Sequence, residues 1–149
     1  DPAVDPILET TLWRTELRLA GMTEIPQAGI RVETRILEGP LSGPEVENPP
    51  VQNPMVCFFD FDRLSFPLEV RNRRVGDRFC PSGMGGKHQK LKQFMIDRKI
   101  PRHQRDPIPV LASPGGILWL IGWRVDERFQ VSKSTRKVLE VRIMFNPLK

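Results

Sequence analysis

The residue pattern predicts an α+β fold, with mostly antiparallel strands and one or two short helices. Three observations point there. Apolar and charged residues alternate with period two in several stretches, the mark of half-buried antiparallel strands. Fifteen of 149 residues are proline, where typical usage of about 5% would give about seven, so the elements are short and the loops many. Only one stretch carries a helical period free of Gly and Pro. A long-helix bundle is excluded, and no apolar run approaches the roughly 18 residues of a membrane span.

Taken in order, Trp13, Leu17 and Leu19 alternate with Arg14, Glu16 and Arg18, and Ile30, Val32 and Ile36 alternate with Arg31, Glu33 and Arg35. Both read as strands with one charged face. Ala20 to Gly29, which holds Gly and Pro, is expected to turn the chain between them. Residues 39–54 hold five prolines and two glycines and read as a long loop or linker, since proline cannot donate to a strand ladder. This places a strand-rich lead-in at 1–55 and the main domain at 56–149. Val56 to Phe61 reads as a strand closed by Asp62. Pro67 to Arg71 reads as another, with Leu68 and Val70 inward and Glu69 and Arg71 outward.

From His88 to Lys99 the apolar residues Leu91, Phe94 and Met95 recur at i, i+3 and i+4, which predicts a helix with one buried stripe. Pro101 biases Ile100 away from helix, so the helix should stop near Lys99. A second turn is expected from Pro101, as its first position, to Asp106. Val110 to Ala112, a Ser113-Pro114-Gly115-Gly116 turn and Ile117 to Trp123 read as a hairpin. Ile117 to Ile121 is apolar on both faces and predicts the central buried strand. A last, half-buried strand runs through Leu139, Val141, Ile143 and Phe145.

Charge is unevenly placed. The total is +5, yet Arg71 to Arg105 holds eleven Lys or Arg and only two acids, Asp77 and Asp97, for +9, leaving −4 elsewhere. Such a segment attracts polyanions. Asp77 and Asp97 are expected to pair with neighbouring arginines and fix their direction. Arginine predominates, and its planar fork suits phosphate oxygens. Aromatics are sparse, which favours gripping a structured backbone by shape and charge over stacking single-stranded bases. No amphipathic helix with an exposed apolar face accompanies the cations, so a lipid surface is disfavoured. A module whose basic face docks an acidic protein, or dimerises, is the alternative.

Other chemistry finds little support. Cys57, Cys80, His88 and His103 lack the close pairing of a structural zinc site. The cysteines read as reduced thiols of a cytoplasmic protein. Asp60 and Asp62 share a strand face and are the one pair that could hold a metal or divide acid and base roles, although such pairs more often end a strand at solvent. Ser82-Gly83-Met84-Gly85-Gly86-Lys87 resembles a phosphate-gripping loop. The spacing fails at Pro81 and His88, which leaves a glycine turn before a helix start with anion-receptive N–H groups. No catalytic residue, metal ligand or cofactor site is assigned. The chain opens without methionine or secretion signal and reads as a segment of a longer protein.

The run from Pro67 through Arg71-Asn72-Arg73-Arg74-Val75-Gly76-Asp77-Arg78-Phe79 to Gly83-Met84-Gly85-Gly86, Lys90-Leu91-Lys92, Ile96-Asp97-Arg98-Lys99 and Pro101-Arg102 resembles the C-terminal domain of the bacterial tRNA(Ile)-lysidine synthetase family. Trp119, Gly122 and Arg124 also fit. The resemblance spans about residues 56–144. It implies a layered α+β sandwich similar to the B3/B4-type module of the phenylalanyl-tRNA synthetase β subunit. It also implies a parent enzyme that ligates lysine to the wobble cytidine of precursor isoleucine tRNA, with ATP and lysine as substrates. The family's catalytic signature, Ser-Gly-Gly-x-Asp-Ser, does not occur in these 149 residues. The expected role is therefore recognition of tRNA(Ile) on its acceptor-stem side, without chemistry or cofactor, and a homodimer of the parent is left open. On this basis Arg73, Arg74, Arg78, Lys90, Lys92, Arg98, Lys99 and Arg102 are the expected RNA contacts. Lys87 and Arg105 join them on charge or weaker matching.

Overall fold

The computed structural model describes residues 11–38 and 55–146, so the proline-rich stretch expected at 39–54 lies outside the described residues. The first alternating stretch forms only a three-residue strand, β1 (Arg14–Glu16). Where a turn was expected there is a strand, β2 (Gly21–Ile25). Its inward face consists of Thr23 and Ile25, and Thr23 hides the period because a hydroxyl residue reads as polar. Its Oγ1 accepts the Arg18 N–H at 2.9 Å, which makes its burial tolerable. Gly29 (φ 65°) then returns the chain into β3 (Ile30–Glu38).

The later strands are β4 (Val56–Asp60), β5 (Glu69–Arg71), β6 (Arg78–Phe79) and β7 (Gln89–Lys90), followed by the helices α1 (Leu91–Asp97) and α2 (Arg102–Arg105). They are followed by β8 (Val110–Ser113), β9 (Gly116–Leu120), β10 (Arg124–Val125) and β11 (Lys137–Phe145). All pairings are antiparallel. One sheet has the order β1-β5-β8-β9-β10, a second β2-β3-β11-β4, and β6 pairs with β7 alone. The middle strand of the first sheet is β8, not the β9 that the apolar run suggested. The segment Ile117–Ile121 is nonetheless buried, because it is covered on both faces. Pairing crosses the 39–54 stretch in both sheets, β1 with β5 and β3 with β11.

The two larger sheets face each other across a core that includes Ile30, Val32, Phe59, Val70, Leu111, Trp119, Leu139 and Val141. On the other face of the five-stranded sheet, Leu91, Phe94 and Met95 of α1 pack with Phe79 against Val110, Ala112, Ile117 and Leu120. The molecule is thus three layers, sheet on sheet on helix. A bulge between Leu111 and Ala112 lets β9 serve both. Leu118 and Trp119 together face the inter-sheet core, while Ile117 and Leu120 face α1. Each such side chain, fully buried, contributes about 1.5–3 kcal/mol.

Candidate nucleic-acid interface

The basic segment runs along the helix side of the sandwich, and its first third turns inward. Arg71, expected on an outer strand face, is buried. Its Nη1 and Nη2 donate to the two Asp77 carboxylate oxygens at 2.8 and 3.0 Å. Asp77 also accepts the Arg74 N–H at 2.8 Å, closing a turn at Gly76 (φ 86°). Arg73, expected to touch RNA, is 3% exposed and donates to Asp106 at 3.1 Å. Its pairing makes it a brace between this turn and the loop after α2, a correction to its reading as a presented cation. Arg74 is half-buried.

The glycine stretch does not feed a helix. It is the loop of the β6–β7 hairpin, and the two central residues of its Met84–Lys87 turn, Gly85 and Gly86, have φ of 65° and 82°. A turn with both central residues at positive φ calls for glycine, so the tight-turn reading accounts for both. The helix begins at Leu91, later than expected, and Pro101 stands just before α2 rather than as its first position.

On both sides of this loop exposed cations point outward. Arg78, Lys87, Lys90, Arg98, Lys99 and Arg102 are exposed, and among the described residues none has a carboxylate within ion-pair reach. Arg78 and Lys90 stand directly opposite each other in the β6–β7 pair, a placement of like charges that destabilises the free protein. Behind them Arg73, Val75, Gly76, Asp77, Lys90 and Lys92 line a concavity of about 220 Å³. Asp97 does not pair with an arginine. It accepts from Gln89 and Gln93 Nε2, both at 2.8 Å, which leaves the nearby cations uncompensated. Arg105 is half-buried and donates from Nε to the Ile100 carbonyl at 2.9 Å.

Lys99 has φ 59°. Its N–H reaches the Ile96 carbonyl at 2.9 Å, and the Ile100 N–H reaches the Met95 carbonyl at 3.0 Å. This is a Schellman cap, whose left-handed position normally holds glycine. A lysine there costs about 1–2 kcal/mol of backbone strain, a cost more often found at functional positions than elsewhere.

The pair Asp60 and Asp62 is not an acid–base site. Asp60 is buried, accepts the Thr135 hydroxyl at 3.0 Å and the Asp62 N–H at 3.2 Å, and caps the 3-10 turn Phe61–Arg63. Asp62 is exposed. Cys57 and Cys80 are free and buried, and burial pushes both thiols up. Among the described residues no group of three His, Cys, Asp or Glu could hold a metal, and no helix is long and apolar enough to cross a membrane.

One contributor lies outside the basic segment. Arg124, in β10, places its guanidinium 5.6 Å from the Phe94 ring centroid, and Arg98 places its own 5.1 Å from the same centroid. The sequence gives no sign of this, since 26 residues separate the two arginines and only the sheet brings β10 beneath α1.

The fold and the arrangement of this face can be set beside known proteins. The chain is 41% identical over 126 residues to the tRNA(Ile)-lysidine synthase of Dehalococcoides mccartyi, covering 85% of this chain and 26% of that protein. To that of Symbiobacterium thermophilum it is 34% identical over 146 residues, 98% of this chain and 29% of that one. To that of Caldanaerobacter subterraneus it is 49% identical over 86 residues, 58% of this chain and 18% of that one. The chain therefore spans less than a third of the length of these relatives. A crystal structure of a TilS C-terminal domain superposes with a TM-score of 0.71 at 26% identity, covering 93% of this chain and all of the other. An N-terminal fragment of the phenylalanyl-tRNA synthetase β-subunit from Pyrococcus horikoshii shares the fold, with a TM-score of 0.59 at 17% identity over 78% of this chain and 40% of that one. The expected sandwich and its synthetase likeness are both found. Residues 68–143 match the model of the TilS substrate C-terminal domain, and the chain belongs to that family.

Proposed function

We propose that the helix side of this domain grips the backbone of tRNA(Ile) on its acceptor-stem side. In the longer protein it would hold that tRNA while a separate catalytic domain, using ATP, joins lysine to the wobble cytidine. One observation carries the reading. Arg78, Lys90, Arg98, Lys99 and Arg102 are held exposed, some of them against like charge, with no carboxylate partner among the described residues. An ordinary solvated surface pairs acids with its bases, whereas the exposed acid among these cations, Asp97, is taken up by Gln89 and Gln93. Guanidinium forks and lysines supply charge-assisted hydrogen bonds to phosphate oxygens. Such contacts give affinity and register and carry no base identity.

The test is binding of the chain to an isoleucine tRNA transcript and to a mismatched tRNA across a salt series. About five phosphate contacts give a log–log salt slope near −4.5 by the duplex coefficient. A preference for the isoleucine tRNA would place part of the discrimination here. No binding to either at low salt, or tight salt-insensitive self-association in its place, would overturn the reading in favour of a protein-docking module.

A further inference from the structure

We propose that Arg124 and Arg98 together form a seat for one backbone phosphate, over the ring of Phe94 and beside the Gly83 turn; this rests on the tRNA reading above and adds to it a residue outside the basic segment. Phe94 is the fixed point. Its ring is buried in the helix-side core and braced edge-on by Phe79 at 5.3 Å. Both guanidinium groups lie within 5.6 Å of its centroid, an arrangement in which each cation is attracted to the ring while repelling the other.

Arg124 is also oriented by hydrogen bonding. Its Nη1 donates to the Ser82 carbonyl at 2.7 Å, and the Ser82 N–H returns to the Val125 carbonyl at 3.0 Å. One end of the fork is thereby fixed, and Nε and Nη2 remain as donors. Among the described residues neither arginine has a carboxylate partner. Burial and the charge of Arg98 both push Arg124 down from the ordinary guanidinium range, as expected where a second cation stands nearby. Gly83, at φ 84°, lies beside them, and a Cβ there would stand 3.8 Å from the Arg124 Nη1. That would be an ordinary contact, so it is the positive φ that favours glycine in this turn.

A single anion bridging both groups would relieve the repulsion and use the free donors. An RNA phosphodiester fits the site's neighbours. Lys90 and Arg98 sit at opposite ends of α1, about 12 Å apart along its axis at 1.5 Å per residue. That distance exceeds the spacing of adjacent phosphates and suits phosphates further apart along a strand better than the phosphates of one small ligand.

The experiment compares wild type, Arg98→Gln, Arg124→Gln and the double variant for affinity to the isoleucine tRNA transcript across salt, with urea unfolding of each. Arg98→Gln carries most weight because the Arg98 side chain makes no hydrogen bond among the described residues and its backbone N–H bond to Phe94 is kept, so its folding should be unharmed. If one phosphate is shared, each single variant lowers the salt slope by about 0.9 and the double lowers it by no more than either. Additive losses of about two, or no change in the single variants, would overturn the shared seat while leaving the tRNA reading intact. Should wild type fail to bind tRNA at all, the tRNA reading falls by itself. The seat is then decided by inorganic phosphate at constant ionic strength. A rise in wild-type melting temperature that Arg98→Gln loses supports it, and an equal rise, or none, in both removes it.

Discussion

At the Arg71 end of the basic segment the guanidinium groups are turned inward, with Arg71 held by both oxygens of Asp77 and Arg73 by Asp106. At the Arg98 end the same kind of side chain is exposed, and Arg98, Lys99 and Arg102 meet no carboxylate among the described residues. Each of these side chains adds the same single charge to the +9 of the segment, so formal charge does not separate them. The acids do. Asp77 and Asp106 lie where strand and loop fold over each other, and they turn nearby cations into struts. Asp97 sits on the outer face of α1 and is occupied by two glutamines, which leaves the cations around it open to an external anion. A basic segment is therefore a mixture of brackets and contacts, and the placement of a few carboxylates decides which is which.

The largest expected effect is at the bracket end. Arg71 and Asp77 keep only 9% and 12% of their side-chain surface. Asp77→Ala leaves the buried Arg71 guanidinium with only the Glu69 carboxylate, 3.6 Å from its Nε, and the Arg74 N–H without its acceptor. Stability to urea should fall by about 2–3 kcal/mol. A loss under about 1 kcal/mol, an exposed-pair value, would mean that the Arg71 end is no more structural than the rest. Charge reversal at Arg73 belongs with this class. It should unfold the domain and would say nothing about binding.

A smaller effect of opposite sign is expected at Lys99. Lys99→Gly removes left-handed strain at the Schellman position and adds chain entropy to the unfolded state. The net expectation is a gain of about 0.5–1 kcal/mol in unfolding free energy. The same change removes one cation, so the salt slope for tRNA should shrink by about 0.7–0.9. A variant that is both more stable and weaker in binding is the signature of a contact kept against the preference of the backbone. Unchanged binding would move Lys99 out of the interface.

Much of this was legible in the residues, and what was not has physical causes. The buried stripe Leu91-Phe94-Met95, the hairpin around Gly115 and the α+β class follow from period and turn chemistry, which are local, whereas the layering was implied by the family resemblance. The strand Gly21–Ile25 was missed because a buried threonine interrupts the apolar alternation. The inward turn of Arg71 and Arg73 was missed because their partners, Asp77 and Asp106, are fixed by tertiary closure. Arg124 entered only as part of the family resemblance. Its nearness to Arg98 depends on β10 pairing with β9 and on α1 packing above, neither of which is written in local sequence.

The finest test of the comparison lies within a single helical turn. Arg102 and Arg105 both belong to α2 and carry the same charge, and both are expected contacts, Arg105 on the weaker matching. Arg102 is exposed and has no partner among the described residues, whereas Arg105 is half-buried and its Nε caps the Ile100 carbonyl at 2.9 Å. Arg102→Gln should leave urea stability within about 0.5 kcal/mol of wild type, and it should lower the salt slope for tRNA by about 0.8. Arg105→Gln should do the reverse, costing about 0.5–1.5 kcal/mol of stability for the lost hydrogen bond, with little change in slope. Equal losses of affinity from the two would show that a backbone partner does not withdraw an arginine from the interface. The division between brackets and contacts would then rest on carboxylate pairing alone.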